Sequence, residues 1–473
     1  MRAPVVLSLE PVPDPIELLA RLVPLRRLAL LDGAFDAPDL GRYSYLTADP
    51  IATLDAPASA WRDARDTIRG TFHDNFPHDP ALPPFQGGWL GWLSYELGTA
   101  FDRMPRAAGA DRAVPDVALA LYDWVIAWDH ATGMAWLVST GMDAHGRVDS
   151  IRAAERAAQV MTWVRGASVP SARTEVARPA LRRPREGIPS NAFTVAPPGL
   201  TGDFTPAGYR AAVQEIIDRI LAGDLFQANL SQRFLAPFHG DPLALYCAMR
   251  RRAPAPMAAW LAHEDHHVLS VSPELFLRHD PESGAVETRP IKGTRPRGRD
   301  ADADAVLAAE LLASEKDRAE NVMIVDVLRN DLSRVCEPRS VAVPALCRLE
   351  SHAAVHHLVS IVTGTLRPGE DALDLLAATF PGGSITGAPK LRATELLAEL
   401  EPVTRGVYCG AVGWIGCNGG LELSIAIRTI TLSGGVAAIH AGGGITARSD
   451  PDEEYHETLD KARALIAALA EVA

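Results

Sequence analysis

The chain has 473 residues, 47% hydrophobic and 22% charged, ordinary values for a globular protein with room for two to four domains. Its formal net charge of −13 repels nucleic acid and anionic membrane surfaces, so neither is an expected partner. No stretch matches a membrane helix or a secretory signal, and the five scattered cysteines, Cys247, Cys336, Cys347, Cys409 and Cys417, form no CxxC pair, so the chain reads as cytoplasmic with mostly buried, reduced thiols.

In chain order, residues 1–164 alternate short apolar runs with glycine-rich punctuation and read as strands and hairpins with a few helices, one of them over 151–164. Residues 165–203 place six prolines, from Pro170 to Pro198, among Ser, Thr and Arg, and read as a linker. Residues 204–470 form a second unit. Thr205 caps a helix that carries Pro206 at its first position and runs to residue 221. Strands follow at 226–234, 268–277 and 286–291, then one long helix at about 303–328. Strands near 341–349 and 355–365, a helix at 371–379 and a glycine-rich turn lead into a helix at 390–400. Strands at 407–415, 422–432 and 436–441 precede a last helix from Pro451.

Several groups suit chemistry. Lys292 sits in Arg289-Pro290-Ile291-Lys292-Gly293-Thr294-Arg295-Pro296-Arg297. A free lysine amine titrates near a pKa of about 10.4. Neighbouring cations and burial both disfavour the ammonium form and turn the amine into a nucleophile. The same stretch also suits a surface turn that binds an anion. Asp317 and Glu320 lie three apart on one helix face, and Glu454, Glu457 and Lys461 align on the last helix. Two acid pairs in one cavity need a hard cation, with Mg2+ the default; two solvated faces with an intrahelical Glu457–Lys461 pair fit the spacing as well.

Pro381-Gly382-Gly383-Ser384-Ile385-Thr386-Gly387-Ala388-Pro389-Lys390 opens a helix but lacks the Lys-Ser/Thr of a nucleotide-binding loop, so it suits a carboxylate rather than ATP. Gly442, Gly443 and Gly444 read as a turn after a strand that lets a ligand approach the backbone. Arg428 on the preceding strand suits a forked carboxylate contact. Ordinary turns and an ordinary ion pair remain the alternatives. Glu274 opens a strand after Ser272-Pro273. His356 and His357 are strand neighbours, so one of them at most faces a given pocket.

Taken together, Pro290 to Thr294, Asp317-Arg318-Ala319-Glu320-Asn321, Arg329-Asn330-Asp331-Leu332, Pro381 to Lys390, Ile427-Arg428-Thr429, Gly442 to Ile445 and Tyr455-His456-Glu457-Thr458 resemble the chorismate-utilising enzymes. Residues 204–466 look like the chorismate-binding domain. Residues 41–50 and 91–98 look like the N-terminal region of its ammonia-using members. The resemblance implies an α+β fold: two large, mainly antiparallel sheets, packed together and surrounded by helices, as one intertwined unit. It implies attack of the Lys292 amine on C2 of chorismate, with Glu274 and His357 as the other catalytic groups. Glu320 and Glu457 would hold Mg2+ directly, and Asp317 and Glu454 through water. Arg428, Gly442, Gly443, Gly444 and Lys461 would bind substrate carboxylates, and Gly383, Ser384 and Thr386 would line the site.

Anthranilate synthases of this family carry a small residue where Lys292 stands. The lysine therefore implies amination at C4, with ammonia from a separate glutamine amidotransferase, since no Gly-x-Cys-x-Gly thiol occurs here. The other readings are an anthranilate synthase, an isochorismate or salicylate synthase, and a chorismate-binding subunit without activity. One departure concerns tryptophan. Some relatives hold it through Leu-Leu-Glu-Ser, and here that place reads Leu30-Leu31-Asp32-Gly33.

Overall fold

The computed structural model describes residues 4–33, 40–73, 76, 78–110, 114–166, 193–195, 199–264, 266–352 and 355–472. Most of the expected linker, including residues 167–192, lies outside the described residues.

The long runs of β-branched and aromatic residues build two large antiparallel sheets. Among the described residues one has 13 strands and the other 10. Both draw on the first and the second half of the chain. In the first sheet, Ala29–Asp32 pairs with Met257–Ala262. In the second, Gly88–Leu93 pairs with Ala411–Gly416. The sheets face each other across a core of Tyr45, Phe85, Trp92, Tyr122, Val268 and Trp414. Three further cores pack helices on the sheets. This is the α+β arrangement expected from the sequence. Among the described residues no helix is long and apolar enough to cross a membrane.

Six elements position the site and are labelled here. They are β1 (Gln227–Pro237), β2 (Ile291–Pro296), β3 (Val355–Thr365) and β4 (Val436–Ile445), with helices α1 (Glu315–Ser333) and α2 (Pro451–Val472). Strand β1 pairs with β4 in the first sheet, and β2 pairs with β3 in the second. Helix α1 packs on β2 and β3, while α2 packs on β4.

Three local expectations need correction. The long helix at 303–328 is two helices, Ala301–Ala313 and α1. Ser314 separates them in an extended conformation, and its hydroxyl accepts from the Asp317 N–H. A serine between two helical runs favours a new N-terminus over a continuous helix. The apolar run at 268–277 is also two strands, His266–Ser272 in the first sheet and Leu275–His279 in the second. The run at 422–432 divides likewise into Leu421–Ile425 and Thr429–Ser433.

These two interrupted strands are partners on both sides of the break. His266–Ser272 pairs with Thr429–Ser433, and Leu275–His279 pairs with Leu421–Ile425. A two-stranded ribbon thus leaves one sheet and enters the other. Pro273, which has no N–H for a ladder, sits at the crossing. So do Glu274 and Arg428, with Arg428 at a φ of 50°.

Ser314→Ala should lower stability by about 1 kcal/mol, the usual worth of such a cap. Urea denaturation should show an earlier midpoint.

Candidate active site

The Lys292 side chain projects from β2 and donates to Glu320 Oε1 at 2.7 Å. Gln227 on β1 donates to the same oxygen at 3.0 Å. Lys292 is 9% exposed and Glu320 7%, so the pair is largely shielded from water. The flanking arginines do not face the amine, contrary to the sequence reading. Arg289 pairs with Glu287 at 2.8 Å, Arg295 with Glu310 at 2.9 Å, and Arg297 with Asp304 at 2.6 Å. The charge set against the amine is a carboxylate.

The acids of α1 and α2 converge from opposite sides of β4. Glu457 pairs with Lys461 at 2.6 Å, and Lys461 also donates to the Gly442 carbonyl at 2.8 Å. Glu454 accepts from Lys316 at 3.0 Å and from the Ser449 hydroxyl at 2.6 Å. The other oxygen of Glu454 is buried with no hydrogen-bond partner among the described residues. Repulsion from Glu457 adds to burial in pushing the Glu454 carboxyl above its usual range.

The glycines of β4 make room for these acids. A Cβ on Gly444 would lie 2.0 Å from Glu320 Oε1, and one on Gly443 would lie 2.9 Å from Glu454 Oε2. The expected turn at 442–444 is therefore strand, paired with Leu230, Ser231 and Asn229 of β1, and its glycines give access to carboxylates. Asp317 is more peripheral. It contacts Arg295 at 3.4 Å, and its Cβ lies beside Gly293.

Oxygen donors on Glu320, Glu457 and Glu454 match the preference of a small hard cation. Their donor type suits Mg2+, but their oxygens do not all lie within 4.8 Å of one another, and each carboxylate is held by a lysine. A tighter cluster, Asp55, His263 and Glu264, lies elsewhere, but Arg27 already bridges its two carboxylates at 2.6 and 2.5 Å.

At the ribbon crossing, Glu274 is buried and accepts from the Ser384 hydroxyl at 2.5 Å. Burial pushes its carboxyl up to about 7, against the opposing pull of Ser384, Lys292 and Lys461. A carboxylic acid that is half protonated near neutrality suits proton transfer. Ser384 comes from the short turn Gly383–Ile385, and the Thr386 hydroxyl holds that turn by donating to the Gly382 carbonyl at 3.0 Å.

The two histidines diverge as strand geometry requires. His356 is 3.0 Å from Asp304. His357 is 2.9 Å from the Thr294 hydroxyl. Burial, reinforced by Arg428 and His352, holds His357 well below its usual pKa, hence neutral at pH 7. Arg428 is half-buried, and burial alone lowers its pKa. Among the described residues its guanidinium makes no ion pair, which leaves it free for an anion.

The structure thus brings Lys292, Glu320, Glu454, Glu457, Lys461, Gly443 and Gly444 into one neighbourhood. Glu274, Ser384, His357 and Arg428 lie along the crossing. Gln227, Lys316 and Ser449 are additions to the set. The signal for Gln227 was a glutamine inside the apolar run Phe226-Gln227-Ala228-Asn229-Leu230. At Leu30 to Gly33, Asp32 is taken by Tyr246 at 3.0 Å and Arg250 at 2.6 Å. The cavity beside it is small, about 30 Å³.

Two sheets and two helices thus gather a shielded lysine, a near-neutral acid and a group of glutamates. The chain belongs to the chorismate-binding enzyme family, whose pattern matches residues 36–467. Among its relatives, aminodeoxychorismate synthase component 1 of Salmonella typhimurium is 39% identical, covering 90% of this chain and 89% of that one. Anthranilate synthase component 1 of Streptomyces coelicolor is 38% identical, covering 93% and 83%. The anthranilate synthase component I structure from Streptococcus pneumoniae is 30% identical with a TM-score of 0.74, covering 91% of this chain and 93% of that chain. The menaquinone-specific isochorismate synthase of Escherichia coli, 18% identical with a TM-score of 0.69, shares the fold over 99% of this chain and 95% of that one.

Arg428→Met should raise stability by about 1 kcal/mol, because an unpaired, partly desolvated cation costs more than an apolar side chain of similar length. A higher thermal midpoint would show it; a lower one would mean that Arg428 has a structural partner.

Proposed function

We propose that this chain is the chorismate-aminating component of an aminodeoxychorismate synthase, converting chorismate and ammonia to 4-amino-4-deoxychorismate on the route to para-aminobenzoate and folate. The observation that carries this reading is the Lys292 amine, shielded from water between β2 and the acidic cradle. Identity alone does not separate the two ammonia-using relatives, which differ by one per cent. Lys292 does, since anthranilate synthases carry a small residue there.

In this reading Lys292 first gives up the proton that binds it to Glu320. Its lone pair then attacks C2, both double bonds of the ring diene shift, and the C4 hydroxyl leaves as water with a proton from Glu274. Ammonia adds at C4, the double bonds return, and the C2–N bond to Lys292 breaks. The sum is the exchange of one hydroxyl for one amino group. Arg428 takes the enolpyruvyl carboxylate, and neutral His357 lies beside it. Lys461, with the Gly442 to Gly444 strand, borders the ring carboxylate. Glu320 and Glu457, with Glu454 and Asp317, would hold Mg2+, which would supply charge neutralisation and orientation for that carboxylate.

The ammonia comes from a separate glutamine amidotransferase. Burial pushes the Cys409 thiol up to about 12, far from a nucleophilic thiolate. The site of action is the cytoplasm, in keeping with five free cysteines, four of them buried.

Incubation with chorismate, Mg2+ and ammonium should yield 4-amino-4-deoxychorismate by mass, and glutamine should not replace ammonium. Fluorescent anthranilate would support the anthranilate synthase reading instead. Lys292→Ala should leave chorismate binding largely intact and slow turnover by roughly 10³-fold or more, the scale lost with a nucleophile. An unchanged rate with ammonia would rule out the lysine route. With ammonia saturating, kcat should fall as pH rises through about 7, where Glu274 loses its proton, and Glu274→Gln should abolish that limb.

A further inference from the structure

Arg405 is 2% exposed and lies outside the set of groups that the reaction uses. Its guanidinium makes four hydrogen bonds. Two go to Glu401, at 2.8 and 2.7 Å; one goes to the Ile385 carbonyl at 2.9 Å and one to the Asn229 carbonyl at 2.5 Å. Its plane lies over the Tyr95 ring at 4.6 Å. Glu96 accepts from the backbone N–H groups of Arg405 and Gly406 at 2.8 and 3.0 Å. Ser231 gives both its N–H and its hydroxyl to Glu401 at 2.9 Å.

This junction ties three things together. Ile385 follows Ser384, the partner of Glu274. Asn229 lies two residues after Gln227, the partner of Glu320, and the Asn229 N–H takes the Thr386 carbonyl at 2.9 Å. Tyr95 and Glu96 belong to the N-terminal half. A buried guanidinium with four fixed acceptors sets distances that a flexible ammonium cannot.

We propose that Arg405 is a positioning residue for the reaction, holding the Ser384 turn against Glu274 and in register with β1. The inference rests on the reading of Glu274 as the proton-transfer group. Ser384 stabilises the charged carboxylate, so a Ser384 hydroxyl that drifts away lets the Glu274 pKa rise. The other groups that face Glu274 are Lys292 of β2, Lys461 of α2 and Cys409; none of them bonds to Arg405 through its side chain.

The test is kcat against pH with ammonia saturating, followed as loss of chorismate whatever the product. Arg405→Lys should lower kcat by about 10²-fold, the scale of a 1 Å misplacement, with a small change in KM. Its alkaline limb should move to higher pH, as should that of Ser384→Ala. The double variant should move no further than Ser384→Ala alone, because the two act on one contact. An unmoved limb in Arg405→Lys, or additive shifts, would overturn the proposal. Should Arg405→Lys fail to fold, Glu401→Gln loosens the guanidinium while keeping its shape, and should shift the limb in the same direction by less; no shift overturns the proposal. A limb that moves in Ser384→Ala but not in the arginine variant sinks this inference alone. A limb indifferent to both Glu274→Gln and Ser384→Ala sinks the reading of Glu274 and this inference with it.

Discussion

Buried charge has to be matched, and that requirement governs how the two acidic helices sit. Three glutamates from α1 and α2 meet where two glycines thin the wall of β4. Left alone, they would repel each other and resist losing their water. Each has a lysine instead: Lys292 on Glu320, Lys316 on Glu454 and Lys461 on Glu457. The contact between Lys316 and Glu454 runs from helix to helix, and that between Lys292 and Glu320 from strand to helix. The pairs on the buried Glu320 and Glu454 therefore also fix the geometry of the cradle, whose Glu457–Lys461 side is open to solvent. A divalent ion entering there competes with ammonium groups already in place.

The second organising feature is the ribbon that changes sheets. Glu274 and Arg428 are held where the ladder is interrupted, and interrupted backbone is where side chains can be aimed across a fold instead of into one of its layers. Ser272 fastens the bend through its hydroxyl on the Ile425 carbonyl at 2.5 Å. The near-neutral acid and the unpaired guanidinium thus stand on one rigid crossing, while the lysine and the acidic cradle stand on the sheets and helices beside it.

Much of this could be read from the residues. Helix Lys390–Leu400 was legible at both ends because Pro389 fixes its entry and Pro402 closes its exit. Asp317, Glu320, Glu454 and Glu457 declared themselves by helical spacing, and the strand alternation of His356 and His357 held. The ribbon crossing was not legible. Residues 268–277 and 422–432 are continuous apolar runs, and local preference does not register a change of sheet. The electrostatics of Lys292 were also misjudged. Its arginines are adjacent in sequence, but each is claimed by a carboxylate from elsewhere, and Glu320, which faces the amine, lies on a different element. Gln227 and Lys316 carried no motif; only the tertiary fold gives them partners.

The interleaving of the two halves of the chain also bears on biosynthesis. Ala29–Asp32 leaves the ribosome roughly 230 residues before Met257–Ala262, which at 5–20 residues per second is on the order of 10–50 s with that sheet edge unsatisfied. The early strands pair with one another, but the edges at Ala29–Asp32 and Gly88–Leu93 stay open until the second half arrives, a form prone to association with other chains. The length of that interval is set by the order of the strands along the chain, not by the composition of any one of them.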